Sequence, residues 1–258
     1  MNPDALDRVV FFHAHPDDEA IFTGGTIARL VAAGTRVAVV FGTNGAHDPR
    51  SDLAQVRVAE ATAACSLLGV HRVEFLGFAD SGLRGDEAAD GCLAFAAAGD
   101  AAVAGLIEVL LRDERATAVV VYDEGGIYGH PDHLMVHRAG HAAAEAAGVA
   151  TVYDATVDRE YLHFVETHLV GHAVQSLLGM ETPAINAAPL GVPTVLLSTT
   201  IDVRAEAAVK RAAMGAHVSQ IGPGSETMTM DGSTFDGVYG FEWYVRKGPR
   251  GPLERLAF

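Results

Sequence analysis

Short apolar segments rich in β-branched and aromatic residues alternate with longer segments of helical periodicity along this chain. The apolar segments have the length of buried strands, and the longer ones place Ala, Ile and Leu on one face of a helix. The predicted strands are 8–12, 36–41, 72–76, 118–122, 151–154, 194–201 and 238–245, and the predicted helices are 20–33, 52–68, 101–112, 134–147, 159–178 and 205–217. This alternation predicts an α/β fold whose mostly parallel sheet is covered by helices on both faces.

Length and composition favour a single large domain. With 258 residues, of which 49% are hydrophobic, the chain can bury a full core. No low-complexity linker forces a boundary, so we expect one domain over 1–258, with a core at 1–178 and a C-terminal extension at 179–258 that completes the sheet and roofs the site. Gly-rich segments at 78–100 and 221–237 are predicted loops, and the first is long enough to form part of a site.

The charge of the chain restricts its partners. Thirty-three acidic against 18 basic residues give a formal net charge of −15, which disfavours nucleic acid, anionic membranes and polyphosphate ligands. No secretion signal and no apolar stretch of membrane-spanning length is apparent. We therefore expect a soluble, cytoplasmic protein that acts on a small molecule and has no membrane partner. The oligomeric state stays open, a homo-oligomer included, and Cys65 and Cys92 receive no role.

Two short motifs rich in histidine and aspartate follow strands of the predicted sheet. The motif HPDDE at 15–19 follows the first strand, and HPDH at 130–133 comes after the strand at 118–122. Each motif leads into a predicted helix. Loops that leave the carboxyl ends of parallel strands line the ligand crevice of such sheets, so the two motifs can converge on one site.

The two motifs supply the residue types of a catalytic metal centre. A zinc-type ion takes imidazole nitrogen and carboxylate oxygen, and a catalytic site keeps three protein ligands and an open position for water. Pro16 restrains the first loop, so that His15 and Asp18 can face one point. Asp17 is then left beside the metal, where it can act as general base on a water whose pKa the metal lowers. This arrangement points to hydrolysis.

The alternative to a metal centre is that the aspartates of the two motifs have only a structural role. Aspartate before a helix is a common N-cap, which would account for Asp17 or Asp18 and for Asp132. Capping does not account for the accompanying histidines, and the repetition of the motif favours the metal site. No G-x-G-x-x-G turn follows the first strand and no G-x-S-x-G elbow is present, which argues against a nucleotide-binding protein and a serine hydrolase.

The motifs in full resemble a known enzyme family. The segments 13–19, 24–25, 128–133 and 210–220 are similar to the metal-dependent deacetylases that include the N-acetylglucosaminyl-phosphatidylinositol deacetylases (PIG-L) and the bacterial LmbE-like and mycothiol-pathway enzymes. Further matches are Thr43-Asn44-Gly45, Arg57, Glu60, Gly69 and Asp80-Ser81-Gly82. The resemblance implies a Rossmann-like three-layer sandwich and the removal of N-acyl groups from amino sugars.

The resemblance also implies roles for individual residues. His15, Asp18 and His133 would bind Zn²⁺, with Fe²⁺ as the alternative in the cell, and Asp17 would be the general base. His130 would be a charged oxyanion stabiliser, the interpretation we favour, or the general acid, with Asp132 orienting it or tuning its pKa.

Three further residues would lie at the substrate. Tyr128 would donate its hydroxyl to the developing oxyanion, unless it only packs on the site. Arg57 and Asp80 would bind the sugar, and an i,i+3 ion pair with Glu60 is the alternative role for the arginine.

Together these features predict a zinc-dependent hydrolase that removes an N-acetyl group from an amino sugar or an amino-sugar conjugate. The first alternative is an amidase that cleaves a thiol-sugar conjugate with the same site. The second is a non-catalytic Rossmann-like protein that binds a sugar or a nucleotide. The exact substrate stays open at this stage.

Overall fold

A computed structural model describes residues 6–170 and 190–257 of the chain. The strands are β1 (Arg8–His13), β2 (Arg36–Thr43), β3 (Arg72–Phe78), β4 (Ala118–Tyr122), β5 (Val152–Thr156), β6 (Thr199–Asp202) and β7 (Phe241–Lys247). The helices are α1 (Asp18–Ala32), α2 (Asp52–Leu67), α3 (Asp100–Glu114), α4 (Gly126–Gly129), α5 (Pro131–Ala147), α6 (Arg159–Val165), α7 (Ala207–Ala216), α8 (Glu226–Thr229) and α9 (Gly232–Tyr239).

The seven described strands form one sheet in the order β3-β2-β1-β4-β5-β7-β6. The first five of these run parallel, and β7 is antiparallel to both β5 and β6. Helices α1, α2 and α7 pack together, α3 packs with α5, and the sheet has helices on both sides. Both β1 and β4 are apolar and almost wholly buried, as expected of strands covered on two faces. The predicted α/β fold is confirmed.

The direction in which the chain adds strands reverses between β1 and β4. From β1 the chain passes through α1 to β2 on one side, whereas β4 lies on the other side and is reached through α3. Because the two connections go opposite ways, the loops at the carboxyl ends of β1 and β4 leave a crevice between them. Val9 pairs with Ala118 and Phe11 with Val120, so the two strand ends lie side by side. Both HPD motifs begin at this point.

The C-terminal half differs in detail from the sequence-based expectation. The predicted helix at 159–178 contains α6, followed by a π-helical turn at Glu166–Val170, and its remaining residues lie outside the described part. The predicted strand at 194–201 begins with a 3-10 turn, Thr194–Leu196, because Asp158 and Glu160 bind the backbone and hydroxyl of Thr194.

The segment at 221–237, predicted as a loop, contains α8 and α9. Ser225 caps α8 by accepting from Met228 N, and Asp231 caps α9 by accepting from two backbone N–H groups. Ser and Asp before a helix are common caps, and here they mark two short helices within a Gly/Ser/Thr-rich segment whose composition is typical of a loop. The last predicted strand, 238–245, starts late: Val238 ends up in α9 and β7 begins at Phe241.

A buried glutamate of β7 ties this strand to both α1 and α7. Glu242 of β7 accepts from Gly25 N at 2.9 Å and Thr26 N at 2.8 Å, and pairs with Lys210 Nζ of α7 at 2.6 Å. The side chains of Lys210 and Glu242 are each 1% exposed, so each charge depends on its partner for solvation. This contact joins two of the segments that resemble the deacetylase family, 24–25 and 210–220. The division into 1–178 and 179–258 stays a prediction, because 171–189 lie outside the described residues.

Replacing Gly25 with alanine is expected to destabilise the fold. A Cβ at Gly25 would lie 2.4 Å from Val203 Cβ, whereas one at Gly24 would meet nothing closer than 3.4 Å. Overpacking costs about 1–3 kcal/mol and alanine regains about 1 kcal/mol of helix propensity. Since Val203 Cβ is fixed to its backbone, the clash should prevail in Gly25→Ala, and urea unfolding should give a lower midpoint. Gly24→Ala is the matched control and should be neutral or stabilising; equal midpoints would contradict this account.

Candidate metal centre and active-site cleft

The two HPD motifs meet at the crevice between the ends of β1 and β4. The first motif crosses from β1 into α1, which begins at Asp18. The second motif forms the start of α5, where Pro131 occupies the first turn and His130 Nδ1 accepts from Asp132 N at 3.1 Å. Proline is suited to this position because its missing N–H is not needed there. The backbone thus directs side chains of both motifs into one place.

His15, Asp18 and His133 lie together at the floor of this crevice. Asp18 Oδ2 is 3.4 Å from His15 Nδ1 and 3.4 Å from His133 Nε2. All three residues are buried, and one potential ligand atom from each lies within 4.8 Å of the other two. Two imidazoles and one carboxylate are the ligand set that the sequence predicted.

The state of these side chains fits a cation. His133 is fully buried, and neither of its ring nitrogens has a hydrogen-bond partner, which is costly unless a further group binds there. Burial disfavours a charged imidazole, yet the carboxylates of Asp80, Asp132 and Asp18 raise the pKa of His15 well above its usual value. Negative charge therefore collects at this point and draws positive charge to it. The site also keeps an alternative set, His15, Asp80, His130 and Asp132, that shares His15.

Tyr122 and His13 support Asp18 from behind. The Tyr122 hydroxyl donates to Asp18 Oδ2 at 2.8 Å and contacts His13 Nδ1 at 2.9 Å, and Thr23 Oγ1 lies 3.0 Å from His13 Nε2. Burial lowers the pKa of His13 to about 4. From the sequence alone, Tyr122 was predicted only as the last residue of a strand. Its position at the end of a buried strand could have indicated a role at the site, since a buried phenol requires a hydrogen-bond partner.

The side chain of Asp17 does not cap helix α1. Its Oδ2 accepts from Arg57 Nη2 at 3.1 Å. Arg57 also donates to Pro16 O at 2.6 Å and Gly45 O at 2.5 Å. The Arg57–Glu60 ion pair considered as an alternative is not present among the described contacts, because Glu60 binds Ser219 instead. Burial raises the pKa of Asp17 to about 6, against the opposing charge of Arg57.

The backbone at Asp17 is held by Glu19, which in turn contacts His217. Asp17 has φ 110° and ψ −33°, a conformation that residues with a Cβ rarely adopt. Its N–H donates to Glu19 Oε2 at 2.9 Å, and Glu19 Oε1 lies 2.6 Å from His217 Nε2. Glu19 and His217 are fully buried. Neither position could be connected from sequence, because about 200 residues separate them.

The backbone of Asp132 orients His130, and the charge of the Asp132 carboxylate acts to raise the pKa of His130. The carboxylate of Asp132 accepts from Ser81 N at 3.0 Å and lies 3.2 Å from His15 Nε2. It is the backbone N–H of Asp132, and not its carboxylate, that holds His130. Because His130 Nδ1 accepts this bond, its proton lies on Nε2. Burial and the neighbouring His15 and His133 lower the pKa of His130 to about 3, despite the opposing carboxylates.

A cleft of about 430 Å³ opens above these groups. Asp17, Asp18, His15 and His130 form part of its lining, and Tyr128, Arg57 and Asp80 line it as well. The predicted loop at 78–100 forms one wall through Asp80, Gly82, Leu83 and Glu87. The Tyr128 ring stands 4.8 Å from that of His133, and burial raises its pKa well above the usual value. The nine predicted site residues thus meet in and beneath one cleft.

The capping alternative does not fit this arrangement. Asp18 Oδ2 accepts from His15 N at 2.9 Å and from Tyr122, and Asp132 Oδ2 faces His15 and Ser81. The aspartates are therefore directed at the cluster of histidines and not at free helix N–H groups.

The fold and the cluster define the class to which the chain belongs: Rossmann-like α/β proteins with a His/Asp centre at the switch point of the sheet. Residues 10–144 match the family PIG-L, described as GlcNAc-PI de-N-acetylase, and the chain belongs to this family. The chain is 38% identical over 239 residues to a 1D-myo-inositol 2-acetamido-2-deoxy-alpha-D-glucopyranoside deacetylase of Rhodococcus opacus, covering 83% of this chain and 82% of that one. The enzyme of the same name from Geodermatophilus obscurus is 35% identical, with 96% and 94% covered.

Solved structures support the same fold. N,N'-diacetylchitobiose deacetylase from Pyrococcus horikoshii is similar to this chain with a TM-score of 0.58 and 21% identity, covering 94% of this chain and 84% of that one. At this level of identity the likeness establishes the fold alone. Within the described ranges 6–170 and 190–257, no helix is both long and apolar enough to cross a membrane.

Proposed function

We propose that this protein is a metal-dependent hydrolase that removes an N-acetyl group from an amino-sugar conjugate. The observation that carries the proposal is the buried set of His15, Asp18 and His133 beneath a cleft, with the carboxylate of Asp17 beside it. The Nε2 of His133 lies 3.4 Å from Asp18 Oδ2 and makes no hydrogen bond, and a metal ion bound to this nitrogen would satisfy it. Imidazole and carboxylate suit both Zn²⁺ and Fe²⁺, and we propose Zn²⁺ as the ion, with Fe²⁺ as the alternative in the cell.

The proposed substrate class is an N-acetylglucosamine joined to an inositol. Its support is the pair of relatives at 35–38% identity, both named as deacetylases of such a conjugate. The cleft has room and polarity for a sugar, since carboxylates and a guanidinium line it beside apolar Leu53 and Leu83. Asp80 and Arg57 are the proposed sugar contacts, and Arg57 also holds the Asp17 carboxylate.

In the proposed mechanism Asp17 takes a proton from the attacking water. A bound metal would polarise the amide carbonyl and acidify that water. Addition of the water oxygen to the carbonyl carbon gives a tetrahedral oxyanion. When this species collapses, the C–N bond breaks and Asp17 returns the proton to the leaving amine. The fixed position of Asp17 supports this role: Arg57 holds its carboxylate and Glu19 its backbone N–H, so little reorganisation is needed on catalysis.

We propose that His130 and Tyr128 stabilise the oxyanion as neutral hydrogen-bond donors. Because the Nδ1 of His130 already accepts from Asp132 N, its Nε2–H is the group available to donate. A charged imidazolium would lose that bond, so the geometry favours a neutral donor over the charged stabiliser that the sequence suggested. Tyr128 keeps its proton for the same purpose, because burial among carboxylates raises its pKa.

The direct test is release of acetate and free amine from N-acetylated substrates. Purified protein loaded with Zn²⁺ should deacetylate an N-acetylglucosaminyl inositol, lose this activity in chelator, and recover it when Zn²⁺ is restored. A panel with N-acetylglucosamine and with a thiol-sugar amide separates the deacetylase from the amidase alternative. Metal-loaded protein that releases acetate from none of these compounds would contradict the proposal.

The activity is expected to fall on the acid side of about pH 6. Burial raises the pKa of Asp17 to about 6, and the base must be unprotonated, so kcat/KM should drop about tenfold per pH unit below that pKa. A bound cation favours the carboxylate and can only move this limb to lower pH. Arg57→Gln removes a charge that lowers the pKa, so its limb should lie at higher pH. Arg50→Gln, at an exposed ion pair with Asp48, is the control; a limb unmoved in Arg57→Gln would contradict Asp17 as the base.

A further inference from the structure

A second cluster of histidine and carboxylate side chains lies outside the cleft. His137 and His141 are four residues apart on α5, and Asp154 is on the neighbouring strand β5. One potential ligand atom from each of the three lies within 4.8 Å of the others. The cluster shares no residue with the candidate centre in the cleft, and nothing in the proposed hydrolysis uses it.

The backbone presents these three groups to a common point. Residues four apart lie on the same face of a helix, so two imidazoles at this spacing can bind one ion. The rings of His137 and His141 are 4.6 Å apart between centroids. Asp154 is only 3% exposed, and its Oδ1 lies 2.7 Å from His141 Nε2. A buried carboxylate therefore forms the floor, and the two half-buried imidazoles form the walls.

His137 is already oriented as metal-binding histidines are. Its Nδ1 lies 2.9 Å from the carbonyl oxygen of Tyr122 and donates its N–H to it. This bond fixes the tautomer, so that Nε2 carries the free lone pair. Metal-ligating histidines almost always have their second nitrogen bonded to a carbonyl or carboxylate in this way, which orients the ring.

From this geometry we propose that His137, His141 and Asp154 form a second metal site for a divalent transition metal such as Zn²⁺. Three protein ligands leave a fourth position, and the 28% exposure of the His141 side chain gives solvent access to it. On binding, the proton between His141 Nε2 and Asp154 Oδ1 is released to solvent. Those two atoms then separate from 2.7 Å to the ~3.3 Å edge of a tetrahedron with ~2.0 Å bonds.

The site would connect to the cleft through one residue. The carbonyl of Tyr122 holds His137, and the hydroxyl of Tyr122 donates to Asp18 at 2.8 Å. An ion bound by His137 would fix β4, β5 and α5 relative to one another. Its expected effect is therefore on stability, because a ligand that binds only the folded state raises the unfolding temperature.

The experiment uses a background in which the cleft centre is disabled. His15 belongs to both ligand sets of the cleft, so His15→Ala should leave only the second site. After chelation, titration of this variant with Zn²⁺ in a calorimeter, with elemental analysis of the dialysed protein, should find one bound equivalent and a higher unfolding temperature. Adding His141→Asn should abolish both, while asparagine can still donate a hydrogen bond to Asp154.

Single variants keep the test decisive if His15→Ala does not fold. The wild-type protein should then bind one more equivalent of Zn²⁺ than His137→Asn or His141→Asn. His71→Asn is the matched control, because His71 is also a partly exposed histidine paired with a carboxylate, Glu114, but belongs to no metal-binding group of the described residues. Equal stoichiometry in wild type and both single variants, or retained binding in the double variant, would overturn the proposal. These readouts do not depend on hydrolysis, so they stand apart from the proposed function.

Discussion

Asp17→Asn is expected to reduce kcat by about 10²–10⁴-fold while leaving the metal content unchanged, because general acid–base catalysis contributes a factor of this size. Asparagine keeps the size of the side chain and can still accept from Arg57, but it cannot take a proton from water. The side chain of Asp17 is 19% exposed, and Arg57 holds its carboxylate in the cleft. Rates of acetate release and elemental analysis of the same sample provide the two measurements.

The control for this variant is Asp52→Asn, which removes an exposed carboxylate at the start of α2. It should retain the wild-type rate. Turnover close to wild type in Asp17→Asn would rule out Asp17 as the base, and a loss of metal in that variant would move Asp17 from beside the ion to its ligand shell.

His133→Ala is expected to lower the metal stoichiometry by one and to abolish hydrolysis with it. His133 is fully buried, and neither of its ring nitrogens makes a hydrogen bond to the described residues. Loss of even an outer-shell partner weakens metal binding by about 10–100-fold, so loss of a direct ligand should exceed about 100-fold. Competition of the protein with a chromophoric chelator for Zn²⁺ measures the affinity at this level.

Folding must be checked in this variant, since alanine leaves a cavity beside the Tyr122 and Tyr128 rings. The unfolding temperature of the metal-free protein supplies this check, and His71→Ala is the surface control. A folded His133→Ala protein with wild-type Zn²⁺ affinity and stoichiometry would exclude His133 as a ligand and favour the alternative set around His15, Asp80, His130 and Asp132.

The fold was predictable where local pattern and burial agree. The strands β1 and β4 are continuous apolar runs, and parallel strands buried on both faces must have this composition. Prediction was poorer beyond residue 190, where α8 and α9 are short and depend on the side-chain caps Ser225 and Asp231. Such brief helices have little periodicity, so tertiary contacts decide whether they form.

The sequence was enough to predict which residues form the candidate site, but not which hydrogen bonds they make with one another. His15, Asp18, His130 and Asp132 could be assigned to one crevice because both motifs follow parallel strands. That Asp132 faces His15 while its backbone holds His130, and that Arg57 binds Asp17 and not Glu60, follow from side-chain directions that spacing does not encode. Spacing along the chain likewise does not connect Asp154 with His137 and His141.

Sequence by itself determined the α/β class, the two motifs and the chemistry of their side chains, because helical and strand periodicity and ligand type are local properties. Only the tertiary structure decided which distant residues support them: Tyr122 behind Asp18, and His217 behind Glu19, about 100 and 200 positions away respectively. A buried polar group must find a partner, but many partners satisfy that need equally well, and packing selects one of them. The arrangement of ligands and base around the cleft is therefore a property of the folded chain.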